Sequence, residues 1–178
     1  MILVFDTETT GLTLHPDAPL SKQPFMIEFG AALLNGRGDV MEEHSFLVNP
    51  ECSLEAVITK ITGLTDADLV DAPTFQMVLP RLRTLFKKAT CMVSHNLPFD
   101  KGILTYGLDR LHARDFPFPA RGVCTVGLYS ELYGRRPKLT ELYANVMGKP
   151  LEQTHRALGD VMGLVDIIQR DKLWKHMQ

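Results

Sequence analysis

The chain is poor in cysteine and tryptophan, with three of the first and one of the second in 178 residues. Cys52, Cys91 and Cys124 form no CxxC pair and cannot all pair within one chain, which argues against a disulfide framework and predicts reduced thiols and a cytoplasmic protein. No apolar run approaches the ~18–20 residues of a membrane-spanning helix. The opening apolar run ends at Phe5 and lacks a basic flank, so no signal peptide is expected there. A dominant charge is missing too: 19 Lys and Arg face 21 Asp and Glu, a formal net charge of -2. Gripping nucleic acid by bulk charge is disfavoured, although a basic rim around an acidic cleft stays possible. Repeats and low-complexity tracts are also lacking. What is present, 45% hydrophobic residues, is ordinary for a globular core, and the length suits a single domain over residues 1–178.

Apolar patterning predicts an α/β chain. Ile2–Phe5 reads as a buried strand, Met26–Leu34 and Val40–Val48 as two more joined by the Asn35-Gly36-Arg37-Gly38 hairpin signal. Cys91–Ser94 and Val123–Cys124 are shorter strand candidates. Helices are expected over Leu54–Lys60 with Ser53 as cap, from Thr65 to Leu69, and over Phe75–Lys87 with a kink or restart at Pro80. Further helices are expected over Phe99–Tyr106, Val126–Tyr133 and Leu139–Met147. Ala157, Leu158, Val161, Leu164, Val165 and Ile168 form the clearest helical stripe. A mixed sheet flanked by helices follows.

Three clusters carry chemistry. Asp6 and Glu8 share one side of the first strand's end, because side chains alternate along a strand. Two carboxylates packed together repel, and a shared proton or divalent metal relieves that repulsion; a solvated pair is the plainer alternative. Asn96 and Asp100 open a helix after the fourth strand, where both residue types are also favoured as caps. His155 and Asp160 are five apart, a rotation of about 140° on a regular helix, so the histidine is expected in the loop before it. His95 and Asp100 repeat that spacing. Together, four carboxylates and a histidine suit two hard divalent cations, Mg²⁺ or Mn²⁺, and a general base.

These strings make the sequence recognisable. Phe5-Asp6-Thr7-Glu8-Thr9-Thr10-Gly11-Leu12, Ile27-Glu28-Phe29-Gly30-Ala31, Ile61-Thr62-Gly63-Leu64-Thr65, Ser94-His95-Asn96-Leu97-Pro98-Phe99-Asp100 and His155-Arg156-Ala157-Leu158-Gly159-Asp160 resemble the DEDDh (DnaQ-like) 3′→5′ exonucleases, which include proofreading subunits of bacterial replicative polymerases. The resemblance runs over residues 1–168. It implies an RNase H-like fold and two metal ions held by Asp6, Glu8, Asp100 and Asp160. His155 would take a proton from the attacking water, and 5′-mononucleotides would leave from a 3′ end. It further implies that Thr9 and Thr10 meet the terminal sugar, Leu12 and Phe99 pack at the terminal base, and Asn96 orients the phosphodiester. Thr62 stands where many relatives carry a histidine that contacts the terminal nucleotide.

The resulting expectation is an exonuclease of single-stranded DNA ends, in proofreading or DNA processing, with a DNA polymerase as possible partner and no membrane. An exoribonuclease trimming RNA 3′ ends is the alternative. A catalytically silent nucleic-acid-binding module is a third reading, set back by the complete acidic set. Most of the basic clusters are expected to form a solvated charged face; of them, Arg135, Arg136 and Lys138 are the favoured backbone-tracking cations, ahead of Lys87, Lys88, Arg110 and Arg114. Gln169–Trp174 loosely resembles a sliding-clamp-binding peptide, but a helix end anchored by Leu173 and Trp174 is preferred.

Overall fold

The computed structural model describes residues 1–152 and 156–177. Its centre is a five-stranded mixed sheet of β1 (Ile2–Thr9), β2 (Met26–Leu34), β3 (Val40–Leu47), β4 (Cys91–Ser94) and β5 (Arg121–Cys124), in the order β3-β2-β1-β4-β5. The first three strands form an antiparallel meander, and β4 and β5 add in parallel beside β1. Around them lie α1 (Ala56–Thr62), α2 (Asp66–Leu69), α3 (Phe75–Lys88), α4 (Leu97–Arg110), α5 (Thr125–Tyr133), α6 (Leu139–Met147) and α7 (Ala157–Arg170). This is the RNase H-like α/β arrangement expected from the strings above.

Strand alternation divides the core between the two faces of the sheet. Ile2 and Val4 of β1, with Ala32 and Leu34 of β2, pack against the apolar stripe of α7 and against Leu142 and Tyr143 of α6. Leu3 and Phe5, with Phe29, Ala31 and Leu33, pack on the other face against Leu82, Leu85 and Phe86 of α3 and Ile103 and Leu104 of α4. Both faces are thereby sealed, which is why β2 is buried along all nine residues.

Several elements differ from their sequence-based bounds. β1 continues through Thr9, because pairing with β2 carries it past the end of its apolar run. α1 begins at Ala56 behind Glu55, not behind Ser53; Asp66 accepts the Leu54 N–H at 2.8 Å and holds that approach extended. α3 passes through Pro80 without a restart. Pro80 and Gln76 are both exposed, so the carbonyl deprived of its helical partner faces water. α4 starts at Leu97 and reaches Arg110, longer than its apolar pattern at both ends. At the far end, Leu173–His176 forms a short 3-10 turn, and Trp174 lies on Gly38 of the β2–β3 hairpin, where a Cβ would come within 2.5 Å of the ring. Gln169 donates to the Gly38 carbonyl at 2.8 Å. The clamp-like segment is thus engaged within the fold.

Candidate active site

β1 and α7 together build a carboxylate cluster. Asp6 and Glu8 point from the α7 face of β1, one and two steps beyond Val4. Their cross-strand partners on β2 are Gly30 and Glu28. A Cβ at Gly30 would lie 2.4 Å from the Ala157 carbonyl carbon and the Leu158 nitrogen, so only glycine lets the first turn of α7 settle this closely on the sheet. That approach brings Asp160 to the strand: Asp6, Glu8 and Asp160 each offer an oxygen within 4.8 Å of the others.

Glu28 fixes the same end of α7. It is 1% exposed and accepts from Arg156 Nε at 3.0 Å and from Arg156 Nη2 at 2.9 Å. The Ala157 N–H adds a contact at 3.3 Å, so one buried carboxylate both pairs with the N-cap residue of α7 and caps the helix. Sequence reasoning assigned neither Glu28 nor Arg156 a role. A signal was there, since Glu28 is the one charge in the otherwise apolar Met26–Leu34 strand.

Asp100 reaches the site from the first turn of α4 and has a different environment. Its Oδ1 accepts from the Thr7 N–H at 3.1 Å and the Thr7 hydroxyl at 2.8 Å, and the Ser94 hydroxyl donates to its Oδ2. Burial raises the Asp100 pKa to about 6 against the lowering effect of those donors. Burial also pushes Glu8 up to about 8, helped by the charges of Asp160 and Glu28. Asp6 is raised well above the usual carboxylate range by burial, then by Asp100, Glu8 and Asp160. Such a set favours either protons or cations. All-oxygen donors fit hard divalent ions such as Mg²⁺ and Mn²⁺.

Two cavities meet at the cluster. The larger, of about 900 Å³, lies beside Thr7 and Glu8 and is walled by Leu12, Phe25, Ile58, Ile61 and Phe99. It contains the predicted residues Thr9, Thr10, Leu12, Thr62 and Phe99. The Thr62 hydroxyl is turned to its own backbone, donating to the Ile58 carbonyl at 3.0 Å and accepting from the Leu64 N–H at 3.1 Å. Leu12 is 82% exposed at the mouth. The second cavity, of about 540 Å³, contains Asp6, Asp100 and Asp160 together with His95, Asn96 and Lys138.

His95 is a wall of that second cavity and not a free base. Its Nε2 lies 3.1 Å from the Pro137 carbonyl, which can only accept, so Nε2 carries the proton and Nδ1 faces the Thr125 hydroxyl at 3.0 Å. Burial lowers its pKa, against the raising effect of the Pro137 contact. This contact holds residues 135–138 against the site. Arg136 donates to Asn96 Oδ1 at 2.9 Å, and Arg135 pairs with Glu141. Of the other cations, Lys88 pairs with Glu42 at 2.7 Å, and Arg110 is bound to loop carbonyls. His155, the expected base, lies outside the described residues.

The sheet order, the acidic cluster and the flanking cavities define the class of DnaQ-like nucleases. Residues 3–168 match the RNase_T family model, described as Exonuclease, and the chain belongs to that family. It is 31% identical over 168 residues to the PolC-type DNA polymerase III of Clostridium perfringens, covering 94% of this chain and 11% of that protein. The PolC-type enzyme of Bacillus cereus is 31% identical over 162 residues, covering 89% of this chain and 10% of that protein. The chain spans 6–25% of the length of the first curated relatives it matches. Its fold is shared with the nuclease domain of 3′hExo, a DEDDh family member bound to rAMP, at a TM-score of 0.77 and 21% identity, covering 97% of this chain and 91% of that one. Exonuclease X in complex with 5′ overhanging duplex DNA superposes at a TM-score of 0.69 with 23% identity, covering 97% and 93%. No helix among the described residues is long and apolar enough to cross a membrane.

Proposed function

We propose that this chain hydrolyses single-stranded DNA from its 3′ end, releasing 5′-mononucleotides with the help of divalent cations, in proofreading or DNA processing beside a polymerase. The observation that carries this reading is the position of Asp6, Glu8 and Asp160 where an apolar cavity and a polar one meet. The terminal nucleoside takes the larger cavity, with Phe99 and Leu12 at its base and Thr9 and Thr10 at its sugar. The phosphodiester lies over the acids, and the upstream strand leaves past Asn96 and Lys138.

Asp6, Glu8, Asp100 and Asp160 would hold two Mg²⁺ or Mn²⁺ ions, whose chemistry is to lower the pKa of water and neutralise charge on the phosphate. His155 accepts the proton of the attacking water. The water oxygen bonds to phosphorus, the bond to the upstream 3′ oxygen breaks, and that oxygen takes a proton from solvent to become a new 3′-hydroxyl. Ser94 and Thr7 keep Asp100 oriented throughout. The relatives named as PolC-type polymerases support a polymerase partner.

Matched DNA and RNA oligonucleotides labelled at the 5′ end, digested with Mg²⁺, with Mn²⁺ and with EDTA, test the reading on sequencing gels. A ladder shortening from the DNA 3′ end and absent with EDTA is expected. The same ladder on RNA alone would move the function to RNA trimming. No ladder on either strand from folded, metal-supplied protein would sink the enzymatic claim and leave a binding module.

A further inference from the structure

Residues 10–25 leave the sheet between β1 and β2 and return as a long loop with one 3-10 turn at Leu20–Lys22. Long irregular loops are mobile unless tied down. This one is closed at its base by the Thr10 N–H on the Phe25 carbonyl at 2.9 Å, and by the Phe25 N–H on the Thr10 hydroxyl at 3.0 Å. Inside it, buried Gln23 donates to the His15 carbonyl at 3.1 Å and accepts the Leu14 N–H at 3.0 Å. Those bonds fold the loop onto itself. None of them ties it to the helices.

Arg110 does. From the last position of α4, its Nη2 donates to the carbonyls of Leu20 at 2.9 Å and Gln23 at 2.6 Å, and its Nη1 to that of Pro24 at 3.2 Å. The guanidinium also lies over the Phe25 ring, 3.8 Å from its centroid. A planar fork can reach three carbonyls at once and stack on an aromatic ring; an ammonium cannot do both. The loop held this way supplies Leu12, Leu14 and Phe25 to one wall of the 900 Å³ cavity, facing Val57, Ile58 and Ile61. The same α4 carries Phe99 and Asp100 in its first turn.

We propose that Arg110 is a positioning residue for the terminal nucleotide: it latches the 10–25 loop to α4 so that the nucleoside cavity is formed before substrate arrives. The proposal rests on the exonuclease reading of that cavity. Preorganisation of this kind is felt in binding, because a free loop must be ordered at the moment of association. Arg110 therefore acts on affinity, remote from the reacting atoms.

The test compares wild type with Arg110→Ala and Arg110→Lys in three measurements. Steady-state digestion of a single-stranded DNA oligonucleotide is expected to show KM raised about tenfold in Arg110→Ala, with kcat changed by less than about threefold. Titration of a 5′-mononucleotide in the presence of Mn²⁺ is expected to show affinity weakened by a similar factor. Limited trypsin digestion, followed at the bond after Lys22, is expected to be faster in both variants, because lysine cannot rebuild the three-carbonyl latch. Unchanged KM and unchanged mononucleotide affinity would overturn the proposal, as would a fall in kcat alone, which marks a general loss of active protein. If the wild type neither digests oligonucleotides nor binds the mononucleotide, the exonuclease reading and the nucleotide role of Arg110 both fall. The trypsin rate reports separately on the latch.

Discussion

Asp100 and the Asp6–Glu8–Asp160 group sit in one site yet answer the same problem in opposite ways. Asp100 is buried to 2% exposure, and the protein supplies its compensation through two hydroxyls and one backbone N–H. The other three face one another within 4.8 Å; after burial, Asp6 is raised by the charges of Asp100, Glu8 and Asp160, and Glu8 by those of Asp160 and Glu28. A carboxylate with donors on both oxygens is held in one orientation by the fold; carboxylates that face only carboxylates are a demand for cations or protons. The contrast separates the acid that the fold orients with its own donors from the acids whose repulsion only a ligand or protons relieve.

Removing one acid from the group gives the largest effect. Asp6→Asn is expected to lower nuclease activity by on the order of 10³-fold or more. In a chelator the same variant should melt above the wild type, because repulsion is relieved, and Mg²⁺ should raise the melting temperature of the wild type far more than that of the variant. Thermal melts with EDTA and with Mg²⁺ check both signs, and a variant that melts lower in EDTA would break the contrast.

Next in size is the anchor behind the group. Arg156→Ala leaves Glu28 buried without its cation and is expected to cost about 3–5 kcal/mol, measured by urea unfolding. Glu28→Gln is expected to cost less, since Arg156 is half exposed and can turn to water. On the Asp100 side, Ser94→Ala removes a single donor and is expected to cost about 1–3 kcal/mol by the same measurement. A neutral result there would mean that the Ser94 hydroxyl does not help to hold Asp100.

The remaining test of the contrast is the pH dependence of the metal-free protein. Glu8 ionises near its ordinary 4.5 when unfolded and near 8 when folded, so between those values the native state holds a proton that the unfolded state has released. Stability in EDTA should therefore fall as pH rises from about 4.5 to about 8, then level off. Asp100, raised from 3.8 to about 6, adds the same sign in a lower window. Melting temperatures across that range with EDTA check this, and saturating Mg²⁺ should flatten the slope.

Much of the site was legible in advance because the two regular periods of protein structure put it there. Period two aligns Asp6 with Glu8, and the stripe of α7 places Asp160 inside a helix whose apolar face must meet the sheet. Glu28 was present as a lone charge in an apolar strand, but its partner lies 128 residues away and no local pattern names it. In the sequence Arg110 is one of several cations that fit a solvated face or, less favoured, a phosphate contact. Only packing revealed that its fork is occupied by loop carbonyls. Pro80 does not split α3, and Gln76, whose carbonyl loses its helical donor there, is an exposed residue.

By itself the sequence determined the class of fold, the order of its elements and the list of carboxylates, because these follow from local periodicity and from residue types that have few uses. The tertiary structure decided which carboxylates face one another, which one the protein satisfies, and which cations are free to meet a substrate. Those outcomes depend on distances between segments far apart in the chain, such as the 2.4 Å that forbids any side chain at Gly30. Local pattern carries no record of such distances, because they are set by how two faces of one sheet close on their helices.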